Sequence, residues 1–250
     1  MKALILAAGQ STRIHLIYGD RPKCLIPFNN SEWTILDQQI HSLFSTRVED
    51  IGIVVGYEKD QIIRHVRSNY RACLDHFRFI ENPVFAETNN IYSLWLACEW
   101  LKASSFVCLN ADVAFDSRIL LPALSSVAPI TMIVDPVWRD EAMKVTIAGD
   151  RVIRMSKQIF GKDFGATYTG ITVFEASVQE RFFARVGDLI RTGKEHVYFN
   201  VAVQQLADEG VQIAYTETGG LLWAEIEDFA ELALARLFVF PRLSPVVDVA

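Results

Sequence analysis

The sequence lacks the features that mark disulfide-rich, zinc-binding and membrane-spanning proteins. Its 250 residues include only four cysteines, none of them in a Cys-x-x-Cys pair, and five histidines with no His-x-x-x-His spacing. These absences argue against a zinc site of the usual kind and favour reduced thiols, as is typical of a cytoplasmic protein. No apolar run reaches the roughly 18 residues that a transmembrane helix needs, so no membrane partner is predicted.

Positive charge is also scarce. The 24 lysines and arginines are outnumbered by 30 aspartates and glutamates, which gives a net charge of −6, and no dense run of Lys and Arg occurs. Such a chain repels phosphate backbones, so we predict no nucleic-acid partner. Hydrophobic residues make up 51% of the chain. That is enough for a sizeable core, and it excludes a mainly disordered state.

Short apolar runs alternate with amphipathic segments through the first half of the chain. The predicted strands are Leu4–Ala7, Ile51–Val55, Phe77–Ile80, Phe106–Leu109 and Ile130–Val134, and the predicted helices are Glu32–Phe44, Lys59–Tyr70, Ile91–Leu101 and Ser117–Ser125. Ser31 is the expected N-cap of the first of these helices. The alternation predicts an α/β fold with a mostly parallel, Rossmann-like sheet flanked by helices.

After Asp135 the pattern becomes richer in β-structure. Gly149-Asp150 predicts a hairpin turn between short strands at 145–147 and 152–153. The other predicted elements are strands at Ala166–Phe174 and Val211–Thr216 and helices at 176–192, 195–209 and Asp228–Phe238. We expect a single domain over residues 1–240, in which 1–135 form one half and 136–240 a small β-rich acceptor or lid half, followed by a tail at 241–250.

A turn of small residues follows the first predicted strand. Ala7-Ala8-Gly9-Gln10-Ser11 lies where this strand ends, and the exposed backbone N–H groups of such a turn form a site for anions. Arg13 and Lys23 would add two positive charges beside it, which suits a triphosphate. The alternative is that Gly9 only permits a tight turn and that Lys23 is solvated. Neither Gly-x-Gly-x-x-Gly nor the phosphate-loop motif occurs, which disfavours an NAD-dependent oxidoreductase.

These residues also carry a family resemblance. Leu6-Ala7-Ala8-Gly9-x-Ser11-x-Arg13 and Pro22-Lys23-x-Leu25 resemble the motifs Leu-Ala-Ala-Gly-x-Gly-x-Arg and Pro-Lys-x-Leu of the nucleotide-diphospho-sugar-type nucleotidyltransferases. Segments 53–57, 82–83 and 88–94 are similar to those of the bacterial phosphocholine cytidylyltransferase branch, whose members act on phospho-alcohols and phosphonates. The resemblance spans residues 2–236. It implies a glycosyltransferase-A-like fold, Mg²⁺ as the cofactor and CTP as the nucleotide.

The resemblance also implies roles for individual residues. Lys23, Arg13 and Asp112 are the expected catalytic residues. The residues expected to bind the nucleotide are Leu6, Ala7, Ala8, Gly9, Gln10, Ser11, Arg13, Lys23, Gly56, Tyr57, Thr88, Asn89 and Asn110.

Carboxylates for Mg²⁺ are expected at two places. Asp112 follows the strand that ends at Leu109, and a carboxylate at such a strand end points into the ligand crevice. The second place resembles the family pattern Trp-x-Glu-Ile-Asp-Asp, in which the metal-binding Asp is replaced here by Glu227, with Asp228 as the alternative. Glu227 and Asp228 also suit the first turn of the last helix, where acids favour the helix dipole.

Two lysines and two further polar residues are candidates for binding the acceptor. Lys157 resembles the acceptor-side lysine of the family, and Lys144 is a second candidate. A solvated surface lysine is the alternative for Lys157. Asn90 and Glu225 complete this set, although Asn89 and Asn90 equally suit the N-cap of the following helix.

The recognition of the acceptor head group is less defined. Trp138, Tyr168, Tyr198 and Trp223 are candidates for an aromatic cage around an ammonium group, or else for core packing. Thr167 stands where the family pattern Gly-Glu-Tyr-x-Gly has a glutamate. The loss of this carboxylate predicts a neutral or anionic acceptor rather than phosphocholine.

These features predict a Mg²⁺-dependent nucleotidyltransferase that joins CMP from CTP to a phosphorylated or phosphonate small molecule and releases pyrophosphate. Among enzymes, the alternative is a sugar-1-phosphate nucleotidyltransferase that uses UTP or dTTP. Outside enzymes, it is a catalytically silent regulatory homologue, because two acids expected from the family have changed. The expected partners are a nucleoside triphosphate and a phospho-acceptor, and a homodimer is compatible with the sequence.

Overall fold

The computed structural model describes residues 1–10, 18–28 and 32–243, which form a nine-stranded sheet and a second, two-stranded sheet. The strands are β1 (Lys2–Ala7), β2 (Asp50–Val55), β3 (Phe77–Glu81), β4 (Phe106–Asn110), β5 (Val113–Phe115), β6 (Ile130–Asp135), β7 (Lys144–Ala148), β8 (Arg151–Ser156), β9 (Ala166–Phe174), β10 (Ile213–Glu217) and β11 (Trp223–Glu225). The large sheet has the order β3-β2-β1-β4-β9-β6-β10-β8-β7, and β5 pairs with β11 in the small one.

The α-helices lie between these strands in the chain. They are α1 (Ile35–Ser45), α2 (Lys59–Asn69), α3 (Asn90–Leu96), α4 (Cys98–Leu101), α5 (Leu120–Leu124), α6 (Ala176–Arg191), α7 (Asn200–Asp208), α8 (Phe229–Leu234) and α9 (Phe240–Leu243). A π-helical turn at Ala235–Val239 joins α8 to α9. The last helix therefore continues into the expected tail. Pro241 is the second residue of α9.

One half of the large sheet has the predicted parallel arrangement. β3, β2, β1 and β4 are neighbours, and each pair runs parallel. Side chains of β1 alternate between two hydrophobic cores, with Leu4 in one core and Ala3 and Ile5 in the other. Because both faces are buried, the strand reads as a continuous apolar run. The register of β1 with β4 places Leu6 beside Asn110, so the two carboxyl ends lie together.

The other half of the sheet is mixed, so the prediction of a mostly parallel sheet is not confirmed. β9 runs antiparallel to β4, β6 and β7, and β8 runs antiparallel to β7 and β10, whereas β6 and β10 are parallel. All nine residues of β9 are buried. A strand buried on both faces has the same apolar pattern in either direction, so the sequence could not show the direction of β9.

The N-terminus of α1 is fixed by a buried carboxylate. Thr34 is the N-cap, and it forms a reciprocal capping box with Asp37. Ser31, which was expected to cap this helix, lies outside the described residues, and the helix begins three residues later than predicted. The Asp37 carboxylate also accepts hydrogen bonds from His65 Nε2 at 2.9 Å and from Tyr70 Oη at 2.8 Å. It therefore ties α1 to α2 and to the segment after α2.

Asp37→Asn is expected to lower the free energy of unfolding by about 2–3 kcal/mol, because hydrogen bonds to a buried charged group are lost. Burial raises the pKa of Asp37, but the bonds from His65 and Thr34 outweigh it, so the pKa lies below its ordinary value of 3.8. The stabilisation is therefore complete above that value and is lost as the pH falls through the lower pKa of the folded protein.

Urea unfolding of the wild type and of Asp37→Asn between pH 7 and pH 3 measures this effect. Asp75, which is exposed, supplies the control Asp75→Asn with little expected change. A difference in unfolding free energy that stays constant down to pH 3 would show that Asp37 is not the titrating group.

The small sheet brings two distant segments together beneath the carboxyl end of β4. In the β5–β11 pairing Val113 lies opposite Glu225, and the backbone N–H of Ile226 donates to the carbonyl oxygen of Asp112 at 3.0 Å. These strands have three residues each, which is too short to show a period of two in the sequence. Among the described residues, no helix has both the length and the apolar character needed to cross a bilayer.

Candidate active site

A pocket opens at the carboxyl ends of β1 and β4. Its walls come from the turn after β1, the start of α3, β9, and the segments that follow β4, β6, β8 and β11. The sequence-predicted site residues that line it are Leu6, Ala7, Ala8, Gly9, Gln10, Lys23, Thr88, Asn89, Asn90, Asn110, Asp112, Lys157, Tyr168, Tyr198, Glu225 and Glu227. Open α/β sheets bind ligands at this end, so the pocket is the candidate active site.

The ammonium group of Lys23 contacts two carboxylates in this pocket. Its Nζ lies 3.3 Å from Asp112 Oδ2 and 3.5 Å from Glu227 Oε2. Burial lowers the pKa of Lys23, but the negative charges of Asp112 and Glu227 more than offset this, so its pKa lies above the usual value. Lys23 is therefore a fixed positive charge near the end of β4.

Carboxyl groups are crowded around this lysine. Burial raises the pKa of Asp112, and the charge of Lys23 opposes that rise only in part. Burial, together with the negative charges of Asp112 and Glu227, raises the pKa of Glu225 to about 8. Such crowding is relieved by additional positive charge, as a divalent cation would supply.

The residues present fit a magnesium ion that is shared with a phosphate ligand. Mg²⁺ takes one or two protein carboxylates and completes its coordination with water and phosphate oxygens. Asp112 and Glu227 supply two such carboxylates. In residues 1–10, 18–28 and 32–243, no group of three or more His, Cys, Asp or Glu side chains is placed to hold a metal ion. The arrangement is therefore not that of a closed structural metal site.

Asp228, the alternative second ligand, has a different role. Its Oδ1 accepts a hydrogen bond from the backbone N–H of Glu231 at 3.0 Å, so it is the N-cap of α8. It does not line the pocket, whereas Glu227 does. Of the two alternatives that the sequence left open, Glu227 is the one in the site.

Gln39 of α1 forms hydrogen bonds to the turn that carries Asp112. The side-chain amide of Gln39, which is completely buried, donates to the carbonyl oxygens of Asn110 at 2.8 Å and Val113 at 2.7 Å. Together with the bond from Ile226 to the Asp112 carbonyl, this fixes the backbone on both sides of the carboxylate. Sequence reasoning missed Gln39 because it lies on a helix far from any motif.

The turn after β1 forms the opposite wall. Ala8, Gly9 and Gln10 line the pocket, whereas the predicted residues Ser11 and Arg13 lie outside the described residues. Gly56 and Tyr57 do not line the pocket but support this turn. The backbone N–H of Tyr57 donates to the Ala8 carbonyl at 3.0 Å. A Cβ at Gly56 would lie 2.8 Å from that same oxygen, so only glycine fits there.

Asn89 and Asn90 combine a structural role with a place in the pocket wall. Asn89 is the N-cap of α3, and its side chain accepts from the backbone N–H of Asn90 at 2.7 Å. Asn90 Oδ1 accepts from the backbone N–H of Phe199 at 2.9 Å, which ties α3 to the start of α7. The predicted cap is confirmed for Asn89, and both side chains line the pocket.

Several lining residues were not predicted from the sequence. They are Pro22, Cys24, Asn82, Phe85, Ser93, Ala111, Glu141, Ala142, Met143 and Asn200. Asn82 donates to Thr88 Oγ1 and to Ser93 Oγ, both at 3.1 Å, and so orders the wall beside α3. Its place in the Asn82-Pro83 motif was a signal that could have identified it. Pro22, in the Pro22-Lys23-x-Leu25 motif, and Ser93, in segment 88–94, carried a similar signal. The remaining residues occupy no specified position of these motifs.

The side of the pocket around Lys157 carries both signs of charge. Lys157 Nζ lies 5.8 Å from the centre of the Tyr198 ring, and Glu141 lines the same pocket. Tyr168 is almost completely buried, and its hydroxyl is 2.8 Å from Thr172 Oγ1. Tyr198 is partly exposed, so it is the predicted aromatic residue best placed to meet a ligand.

Lys144 and Trp138 do not line the pocket. The Lys144 side chain is completely buried, and its ammonium group lies 4.7 Å from the centre of the Trp138 ring. Trp138 was expected to cage a ligand, but its cation partner is this internal lysine. Burial lowers the pKa of Lys144. The sequence could not show that Lys144 is buried against Trp138, because lysines are almost never fully buried.

Trp223 and Thr167 also make hydrogen bonds inside the protein and do not line the pocket. Trp223 Nε1 donates to Asp135 Oδ2 at 2.8 Å, and Thr167, which is completely buried, donates to the Val137 carbonyl at 2.7 Å. Since Thr167 does not line the pocket and Glu141 and Glu225 do, the site has carboxylates without a glutamate at position 167. The expectation of a neutral or anionic acceptor therefore loses its basis.

The family model described as the MobA-like NTP transferase domain matches residues 3–168, well over half of the chain. The chain belongs to this family. It is thus a nucleotidyltransferase, as the motifs around Gly9 and Lys23 predict. The matched region contains the turn after β1, Lys23 and Asp112, but it ends before the segment with Glu225 and Glu227.

Two curated relatives align with almost the whole chain. The 2-aminoethylphosphonate cytidylyltransferase of Lancefieldella rimae is 28% identical over 92% of this chain and 90% of its own length. The CTP:phosphoglutamine cytidylyltransferase of Campylobacter jejuni is 23% identical over 93% of this chain and 98% of its own length. Both relatives are cytidylyltransferases.

A solved structure supports the fold. The inositol-1-phosphate CTP transferase of T. maritima superposes with a TM-score of 0.81, covering 98% of this chain and 97% of that chain at 22% sequence identity. At this identity the similarity shows the fold alone. The α/β nucleotidyltransferase fold expected from the sequence is confirmed.

Proposed function

We propose that the protein transfers CMP from CTP to a phosphorylated or phosphonate small molecule and releases pyrophosphate. One observation carries this proposal: Lys23 contacts both Asp112 and Glu227 in a pocket with the small-residue turn after β1 on one side and Lys157 on the other. Both aligned relatives are cytidylyltransferases, and one of them acts on a phosphonate. The halves 1–135 and 136–240 would then bind the nucleotide and the acceptor, respectively.

The nucleotide is assigned to the side of the turn after β1. Backbone N–H groups of Ala8, Gly9 and Gln10 suit the triphosphate oxygens. Thr88 and Asn89 supply polar groups on the neighbouring wall, and Phe85 supplies an aromatic surface for the base.

The acceptor is assigned to the side of Lys157 and Glu141. Lys157 is placed to bind the acceptor phosphate or phosphonate, as the family resemblance implies. Glu141 and Tyr198 are placed to meet a positively charged head group, because a carboxylate and an aromatic face both attract cations. An acceptor with an amine as well as a phosphate therefore suits this half of the pocket.

The reaction is a direct displacement at the α-phosphorus of CTP. An oxygen of the acceptor phosphate or phosphonate forms the new P–O bond. The bond from the α-phosphorus to the oxygen bridging to the β-phosphate breaks, and its electron pair leaves with pyrophosphate. Lys23 neutralises charge that develops on the phosphate oxygens, and the pocket walls align the two substrates.

Magnesium fits this proposal at Asp112 and Glu227. When bound there, it would supply positive charge to the triphosphate and to the leaving pyrophosphate. The protein residues act without a covalent enzyme intermediate, since alignment and charge neutralisation are sufficient for nucleotidyl transfer.

A matrix of four nucleoside triphosphates against a panel of acceptors tests the proposal. The panel contains phosphocholine, 2-aminoethylphosphonate, inositol 1-phosphate and glucose 1-phosphate, and the signal is pyrophosphate released with Mg²⁺ present. We expect CTP to exceed each other nucleotide by at least about tenfold in kcat/KM, as a pocket with specific base contacts discriminates. A preference for UTP or dTTP with glucose 1-phosphate would favour the sugar nucleotidyltransferase instead. No turnover with any pair would favour a silent homologue.

A further inference from the structure

We infer that Lys144 is a positioning residue. It holds in place the acceptor wall, the part of the pocket lined by Glu141 and Lys157, without lining the pocket itself. Its ammonium group donates three hydrogen bonds, to the carbonyl oxygens of Asp140 at 2.6 Å, Ala142 at 3.1 Å and Lys157 at 3.2 Å. An ammonium group has three N–H donors, so all of them are used by the backbone.

The three carbonyls come from two separate parts of the pocket wall. Asp140 and Ala142 flank Glu141 in the loop between β6 and β7, and Lys157 directly follows β8. Lys144 therefore fixes the backbone on both sides of Glu141 and, through the same nitrogen, the backbone of Lys157. These are the carboxylate and the cation that line the acceptor side of the pocket.

The ammonium group of Lys144 is enclosed by carbonyl oxygens and aromatic rings. Its side chain is completely buried, and its ammonium group lies 4.7 Å from the Trp138 ring and 5.8 Å from the Phe160 ring. No ion pair of Lys144 with a carboxylate occurs in the part of the chain that the structure describes. A buried charge is costly unless its hydrogen bonds are satisfied. Here the carbonyls of two loops satisfy them, so the loops and the lysine fix one another.

The base of Lys144 is itself rigid. It is the first residue of β7, and its backbone lies between β8 and β9, opposite Ser156 and Thr167. The sheet thus provides a fixed anchor, and the Lys144 side chain extends it to the carbonyls of Asp140, Ala142 and Lys157. The strand β9 itself bonds to other positions of the first loop, the carbonyls of Val137 and Met143. A neutral, donor-free side chain at this position would leave both loops free to move apart.

Two measurements on Lys144→Met test the inference. Hydrogen–deuterium exchange measures the mobility of the two loops directly and needs no substrate. We expect faster exchange of the backbone amides in 136–143 and 157–165, and unchanged exchange in β1 and β4. The kinetic part rests on the proposed function. There we expect the KM for the acceptor to rise about tenfold or more, because a small displacement of binding groups has a large effect. The KM for CTP should stay within about twofold.

Two further variants complete the experiment. Lys162, which is exposed in the same loop region, gives the control Lys162→Met with unchanged exchange and kinetics. Lys144→Gln keeps two N–H donors, so an effect intermediate between wild type and Lys144→Met is expected. It also provides the comparison if Lys144→Met does not fold.

The outcomes separate this inference from the proposed function. Unchanged exchange in both loops overturns the positioning role, whatever the kinetics. Faster exchange with equal changes in the KM values of acceptor and CTP overturns the assignment of Lys144 to the acceptor wall. A wild-type protein that turns over no acceptor overturns the proposed function, while the exchange data still decide the positioning role.

Discussion

Lys23→Met is expected to lower kcat by about 10²–10³, the range for losing one preorganised electrostatic group in a transition state. The Lys23 ammonium lies within 3.5 Å of two carboxylates near the end of β4, where charge on the triphosphate must be neutralised. Methionine keeps an unbranched side chain of nearly the same length and removes the ammonium group with its charge and donors. The KM for CTP should change less than kcat, since the charge develops during the reaction.

Steady-state kinetics with the best nucleotide and acceptor measure this effect. Lys59 offers a matched control, because its ammonium pairs with Glu81 at 2.6 Å on the surface and neither residue lines the pocket. Lys59→Met should retain wild-type kcat. If Lys23→Met also retained most of the wild-type kcat, Lys23 would have no part in the reaction.

Asp112→Asn is expected to reduce activity by about 10²–10⁴, because it removes one of the two carboxylates proposed to hold Mg²⁺ with little change in side-chain volume. Activity of the wild type should vanish with EDTA and return when Mg²⁺ is added. Asp116→Asn is the matched control. Asp116 lies four residues further on, pairs with Arg118 at 2.6 Å and does not line the pocket.

The second carboxylate is tested by a pair of substitutions at one position. Glu227→Asp should keep substantial activity because a carboxylate remains, whereas Glu227→Gln should lose most of it. Asp228→Asn should be close to wild type, since asparagine is also a good N-cap. Undiminished turnover of the wild type in EDTA, or a Glu227→Gln protein as active as Glu227→Asp, would refute the metal assignment.

The positions of Lys23 and Asp112 in one pocket were predicted from short motifs. Asp112 follows the buried strand β4, whereas Lys23 belongs to the Pro22-Lys23-x-Leu25 motif beyond the turn after β1. The carboxyl ends of parallel strands meet at one edge of a sheet. The structure brings these two residues within 3.3 Å of each other although they are 89 positions apart. Glu227, taken from the family pattern, lies 3.5 Å from Lys23 Nζ, and its role as a metal ligand stays a prediction.

Residues whose role depends on tertiary contacts were predicted poorly. Lys144 and Thr167 were expected in the pocket, but one is enclosed by backbone carbonyls and the other bonds to Val137. Glu141 lies in a loop without a regular pattern, so nothing in the sequence indicated its place in the wall. Polar side chains at the edge of a buried sheet face inward or outward according to the loops that cover them, and short-range patterns do not contain that information.

The fate of the individual phosphates of CTP tests the central claim most directly. CTP labelled with ³²P at either the α- or the γ-position is incubated with Mg²⁺, the protein and the best acceptor from the panel, and the products are separated. We predict that the α-label appears in the acceptor product and that the γ-label appears only in pyrophosphate. A γ-label on the acceptor, or an α-label released as free CMP at the same rate without any acceptor, would contradict nucleotidyl transfer in this pocket.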